Sequence, residues 1–155
     1  MMNRQEILDR MFEAGKSDAL DLRVDAVSEA ITDTEIIDRE ICIPDWREDG
    51  DYLLIPTGSP FRDNGQVYGL LQPHNASYYP NQRPSDLRAL WGLKHTTNPE
   101  RAKPYVAPMG TSGLYMADEC CLLNDKIYKS KVDNNAYSPV DYPQNWEEVD
   151  LQEDE

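Results

Sequence analysis

An α+β chain is predicted, with an N-terminal helical segment followed by two small antiparallel β modules in tandem, on three observations. Five positions coincide in kind at a constant shift of 60 residues: Asn64 with Asn124, Val67 with Ile127, Tyr68 with Tyr128, Asn75 with Asn135 and Ala76 with Ala136. An internal repeat of this kind sets the architecture before any local reading does. The texture also changes at Pro44, from charged and periodically apolar to rich in Pro, Gly, Asn and Tyr. Finally, Asn64-Gly65 separates two apolar runs, and both residues accept the positive φ angles that a tight hairpin turn demands; Asn124-Asp125 is read as a turn in the second unit. The resulting division is residues 1–43 helical, 44–98 first β unit, 99–149 second β unit and 150–155 an acidic tail expected to fray.

The helices come first. Asn3 to Glu6 fits a capping box ahead of an apolar stripe of Ile7, Leu8, Met11 and Phe12, with Gly15 as the stop. Ser17 is the candidate cap of a second helix, in which Leu20, Val24, Val27 and Ile31 recur at helical spacing opposite Asp21, Asp25 and Glu29. This stripe needs covering, either by the chain's own β units or by a docking partner. Thr32 to Glu35 offers another capping box, followed by Ile36, Ile37 and Ile41, and the helix must stop before Pro44.

In the first β unit a hairpin is expected on Tyr52 to Leu71, with strands on Tyr52–Ile55 and Val67–Leu71. Pro80, Pro84 and Pro99 then mark irregular chain around a short segment carrying Trp91. In the second unit, strands are expected on Leu114–Met116, Cys120–Leu123 and Lys126–Val132, and Trp146 to Val149 close the unit together with Tyr142 and Pro143. The two units differ in length. Sixteen residues separate Tyr52 from Tyr68 and thirteen separate Tyr115 from Tyr128, so the first unit carries an insertion, read near Thr57 to Arg62.

The formal net charge is -14 and the pI about 4.4, which argues against binding nucleic acid or an anionic membrane, since both need Lys and Arg at the contact. No segment has the length of an apolar membrane span, and the first residues lack the basic start and apolar run of a classical export signal, so synthesis in a cytoplasm is expected. A mean hydropathy of -0.72 leaves few residues for a core. Trp46, Trp91, Trp146, Tyr68 and Tyr128 are therefore assigned to it. Cys42, Cys120 and Cys121 have no metal-ligand spacing, and the adjacent pair would point to opposite faces of a strand. No cofactor, metal or catalytic residue is expected: His74 and His95 lie on different segments with no matched nucleophile, and carboxylates are too plentiful for any one pair to be informative.

The second unit, with Tyr115, Ala117-Asp118, Cys120, Asn124-Asp125, Tyr128, Tyr137 and Trp146, resembles the small chitin-binding type of carbohydrate-binding module, families 5 and 12. The first resembles it through Trp46, Tyr52, Asn64-Gly65, Tyr68, Tyr78-Tyr79 and Trp91. The order of motifs from about Asp33 to Val149 (Pro44-Asp45-Trp46, Asn-Gly and its strand, His74, Leu90-Trp91, then KIYKSKVDNNAYSP through WEEV) further resembles phage and prophage virion proteins. That resemblance implies a non-enzymatic virion structural protein of tail, fibre or capsid decoration. Its helices would dock to other virion proteins, homo-oligomerisation is expected, and its modules would face bacterial cell-wall or surface polysaccharide. The positions matching the family's exposed aromatics are Tyr78, Tyr79 and Tyr137, with Asn75, Asn134 and Asn135 as polar supports. For these tyrosines glycan contact, a protein interface and local packing all remain open, and an assembly module that binds no glycan is the alternative function. A free-standing subunit of a secreted enzyme is disfavoured by the missing export signal.

Overall fold

The computed structural model describes residues 19–151, so the helix expected at Asn3 to Gly15 and the last four residues of the tail lie outside the described residues. The chain is mixed α+β and mostly β. Helix α1 (described over residues 19–27) and helix α2 (Asp33–Asp38) lead into a three-stranded sheet of β1 (Pro60–Asp63), β2 (Gln66–Leu70) and β3 (Trp91–Leu93). A four-stranded sheet of β4 (Lys103–Pro104), β5 (Cys120–Leu123), β6 (Lys126–Ser130) and β7 (Trp146–Val149) follows. All pairings are antiparallel except β4 with β5, which is parallel and two residues long.

The two hairpins are alike in detail. Asn64 and Gly65 turn at φ 52° and 76°, and Asn124 and Asp125 at 54° and 63°, the double positive φ of a type I′ turn. Because that turn has only two residues, the strand preceding it must abut it. The first strand is accordingly Pro60–Asp63 and not Tyr52–Ile55, which forms a turn. Pro60 pairs with Gly69 and Asp63 with Gln66 in one hairpin, Cys120 with Lys129 and Leu123 with Lys126 in the other, all shifted by 60 residues. The third strands begin alike, Trp91 opposite Leu70 and Trp146 opposite Ser130. Upstream, the Gly58 amide donates to Leu70 O and the Asp118 amide to Ser130 O, again 60 apart. The three extra residues of the first unit therefore fall between Tyr52 and Gly58, ahead of the position read from sequence. Leu114–Met116 is reduced to a single bridge between Tyr115 and Asn135, and β6 ends at Ser130.

Alternation along β2 divides the first unit into layers. Tyr68 and Leu70 join Trp46, Tyr52, Phe61, Ala76 and Trp91 in an aromatic core on one face, while Val67 joins Leu22, Ala26, Ile36, Ile37 and Ile43 under the helices. Trp91 is fully buried, edge-on to Tyr52 at 5.2 Å, to His74 at 5.3 Å and to Phe61 at 5.6 Å. Such pairs add about 0.5–1.5 kcal/mol each beyond area burial. The second unit has a thinner core of Tyr115, Cys121 and Trp146, with Tyr105 and Tyr128 partly buried against it.

The helices depart from the sequence reading. In α1 it is Leu22 and Ala26 that are buried, whereas Leu20 is 58% and Val24 63% exposed, and Val27 and Ile31 are half-buried. The expected stripe Leu20, Val24, Val27 and Ile31 is thus not one face against the fold. The helix also stops at residue 27, where the Glu29 amide donates to Ala26 O and the Ala30 amide to Asp25 O with Glu29 at φ 58°. That is a Schellman ending without its usual glycine. In α2 the expected capping box is present: Thr32 Oγ1 accepts from the Glu35 amide and Glu35 Oε1 from the Thr32 amide. Ile41, in the single 3₁₀ turn that follows, is 89% exposed and not part of the core.

The two units do not hang on a loose linker. Residues 94–104 run along α2: Lys94 Nζ meets Asp33 at 2.9 Å, the Thr97 amide donates to Thr34 Oγ1 at 2.8 Å, and Asn98 Nδ2 to Asp38 at 3.2 Å. Lys103 Nζ lies 2.6 Å from Glu40 Oε1, both side chains largely shielded, and Gln66 Nε2 donates to Pro104 O. The Cys120 amide then bonds Thr96 O, and His95 stacks on Tyr115 at 3.7 Å. A first-unit segment thereby completes the second unit's core.

Candidate functional site

The loop from β6 to β7 (residues 131–145) carries the most distinctive exposed group in the described chain, and its order begins with Asn135. This side chain is 2% exposed: its Nδ2 donates to Ser130 Oγ at 3.0 Å and its Oδ1 accepts from the Tyr137 amide at 3.3 Å. Its backbone exchanges two hydrogen bonds with Tyr115. Ser130 Oγ in turn donates to Val132 O. Asn134 supplies the reversal at φ 54°, a left-handed conformation asparagine tolerates better than most residues. Downstream, Trp146 Nε1 donates to Tyr137 O at 2.9 Å, the Asp141 amide to Ser138 Oγ, the Tyr142 amide to Ser138 O, and the Lys131 amide to Asn145 O. A loop tied at both ends and in the middle loses little further entropy on binding.

What this loop holds outward is a pair of rings. Tyr137 is 56% and Tyr142 40% exposed, their centroids 5.4 Å apart and their planes 30° from parallel, with Val140 also exposed. Both exposed side chains combine apolar ring area with a hydroxyl at the rim. That combination suits contact with another amphipathic surface. Tyr142 was assigned by sequence to closing the unit. Its spacing of five from Tyr137, with Pro139 and Pro143 stiffening the chain between and after them, was the available signal.

The other sequence candidates fall differently. Asn135 is an internal strut and not a surface support, because both ends of its amide are engaged beneath the loop. Asn75 is half-buried and caps the corresponding turn of the first unit, its Oδ1 accepting from the Ser77 amide at 3.0 Å and from Ser77 Oγ at 2.7 Å. Asn134 is exposed beside the loop, its amide 3.4 Å from Met116 Sδ. Since Asn75 and Asn135 occupy matching places, the residue matching Tyr137 is Ser77. Tyr78 stands 77% exposed one position further on, and Tyr79 is half-buried, edge-on to His74 at 5.8 Å. The first unit therefore places no second ring where the second unit has its pair.

Burial pushes the Cys120 thiol up to about 11 and Cys121 to about 12, so both stay protonated and weakly nucleophilic near neutrality. Burial holds His95 below the ordinary imidazole range, against the opposing effect of its hydrogen bond to Gly113 O, and raises the phenol of Tyr115. Burial likewise raises the carboxyl of Glu119, whose Oε1 accepts from the Met116 amide. Among the described residues no group of three or more His, Cys, Asp and Glu is placed to hold a metal ion, and no helix is long and apolar enough to cross a membrane. A groove of about 610 Å³ lies between the α1–α2 turn and the first sheet. The cross-strand partners Gly69 and Gly92 line it, with the Lys94 and Leu71 side chains packed over their α-carbons, and the Lys94–Asp33 pair lines it too.

The chain matches no protein-family model and no curated protein sequence.

Proposed function

We propose that this chain is a non-enzymatic structural protein of a phage particle, in which a helical segment docks to other virion proteins and a tandem pair of β modules is displayed. The second module carries a platform for host surface polysaccharide. The virion assignment rests on the order of motifs from Asp33 to Val149. The tandem reading is supported by two hairpins whose turns, registers and third-strand tryptophans recur at a shift of 60 or close to it. The single observation that carries the contact function is the Tyr137–Tyr142 pair, exposed yet fixed by Asn135, Ser138 and Trp146. Sugars present apolar faces ringed by hydroxyls, and rigid aromatic faces with polar rims suit them at low entropic cost.

The test is co-sedimentation of the purified protein with insoluble bacterial wall polysaccharide. Binding that is lost in Tyr137→Ala and in Tyr142→Ala, with thermal unfolding unchanged, supports the platform. Background-level sedimentation of the folded wild-type protein contradicts it.

A second reading, an assembly module that binds no glycan, is favoured by one observation of its own: Leu20, Val24 and Leu54 are 58%, 63% and 96% exposed. Light scattering after size exclusion separates the two, since the assembly reading requires self-association or a partner and a strict monomer weakens it.

A further inference from the structure

We infer that the Tyr137–Tyr142 platform selects sugars bearing a protonated amine over neutral N-acetylated and over anionic ones; the inference rests on the platform reading above and specifies its ligand. The faces of the two phenol rings carry negative quadrupole density, which attracts a cation lying over them. Their surroundings reinforce that sign. The loop of residues 131–145 has one cation, Lys131, against two acids, Asp133 and Asp141, while on the neighbouring strands Glu148 pairs with Lys126 at 3.7 Å and Glu147 stands opposite Lys129. Asp133 and Asp141 are exposed in the same loop as the rings. Asp133 Oδ1 accepts from the Ala117 amide at 3.0 Å, which fixes that carboxylate at the loop's edge.

Elsewhere in the described residues several cations are already engaged. Arg83 binds Asp63 through two hydrogen bonds, Lys94 binds Asp33, Lys103 binds Glu40 and Arg62 binds Asp45. A carboxylated or phosphorylated glycan would thus approach a surface of overall charge -14 and meet in the loop one lysine and two carboxylates. Like charges at that range are penalised at low ionic strength, and the penalty fades as salt screens it. The ammonium of a de-acetylated amino sugar meets the opposite field, and its ring still offers an apolar face to the tyrosines.

The experiment is titration of the intact protein with glucosamine oligosaccharides of one length, fully N-acetylated or fully de-acetylated, below neutral pH where the amines are protonated. Amide and aromatic NMR shifts of the β6–β7 loop are the readout. The de-acetylated oligomer is expected to bind at least about threefold tighter at low salt, with the ratio collapsing in high salt. Asp141→Asn should lower the ratio while leaving affinity for the acetylated oligomer unchanged. Equal or tighter binding of the acetylated oligomer overturns the amine preference and leaves the platform standing. De-acetylated binding that survives Tyr137→Ala overturns it too, as diffuse attraction to a polyanion. Failure of both oligomers to shift the loop overturns the preference and the platform reading together.

Discussion

Acidification should loosen the second unit through His95. This side chain comes from the first unit's exit segment, is 6% exposed, stacks on Tyr115 at 3.7 Å and lies 3.0 Å from Gly113 O through Nε2. Burial depresses its folded pKa, and the nearby Arg88 guanidinium pushes the same way, while Gly113 O and Asp33 oppose. In the unfolded chain the imidazole titrates near 6.5. Above that value both states hold it neutral, and the stability contributed by the neutral form is fully present. As pH falls below it the unfolded chain takes up a proton that the folded chain refuses, so stability is lost until the folded pKa is reached. One proton limits the slope to about 1.4 kcal/mol per pH unit. Glu119 has the opposite sign: its raised folded pKa favours the fold as pH falls. Urea unfolding between about pH 7.5 and about pH 5.5 spans the histidine window, and comparison with His95→Phe separates the histidine from Glu119. His95→Phe keeps a flat ring against Tyr115, loses the bond to Gly113 and removes the titration. It should be less stable at neutral pH but show a flatter pH profile. A variant whose profile parallels the wild type would refute the account.

Three further outcomes follow from local geometry. Glu29 and Asp125 hold positive φ without being glycine, so Glu29→Gly and Asp125→Gly should each stabilise the fold by about 0.5 kcal/mol, relief of left-handed strain exceeding the added unfolded-state entropy; thermal melts decide the sign. Asn135→Ala strands the Tyr137 amide beneath the loop, leaves the Ser130 hydroxyl its bond to Val132, and should cost about 1–3 kcal/mol, against about 1 kcal/mol for the equivalent Asn75→Ala at a partly exposed cap. A Glu40→Gln and Lys103→Met double-mutant cycle should return a coupling of about 1–3 kcal/mol, above the surface-pair range because both side chains are mostly shielded; a value near zero would mean the two units are not clamped there.

Much of the fold was legible because local chemistry specified it. Asn64-Gly65 and Asn124-Asp125 announced both hairpins, Thr32 with Glu35 announced α2, and the scarcity of large apolar residues sent Trp46, Trp91 and Trp146 inward. Errors arose where tertiary contacts overrode local pattern. The Tyr52–Ile55 run looked like a strand, yet a two-residue turn leaves room only for Pro60–Asp63. The α1 stripe continued on paper through Ile31, but Glu29 adopts a left-handed ending that sequence usually marks with glycine. The clamps on α2 and the 3₁₀ turn after it link residues about 60 apart, such as Asp33 with Lys94 and Glu40 with Lys103, and β4 is too short to leave a periodic trace. At the candidate site, Tyr137 was legible from the resemblance. Its partner was not, because only the hydrogen-bonded path through Ser138 brings Tyr142 alongside it.

The platform can be tested most directly by mapping amide shifts while titrating the protein with soluble fragments of bacterial wall polysaccharide. Shifts centred on Tyr137, Val140 and Tyr142 that disappear in both tyrosine-to-alanine variants are the result expected here. Shifts centred elsewhere, or saturable binding that survives both substitutions, would contradict it.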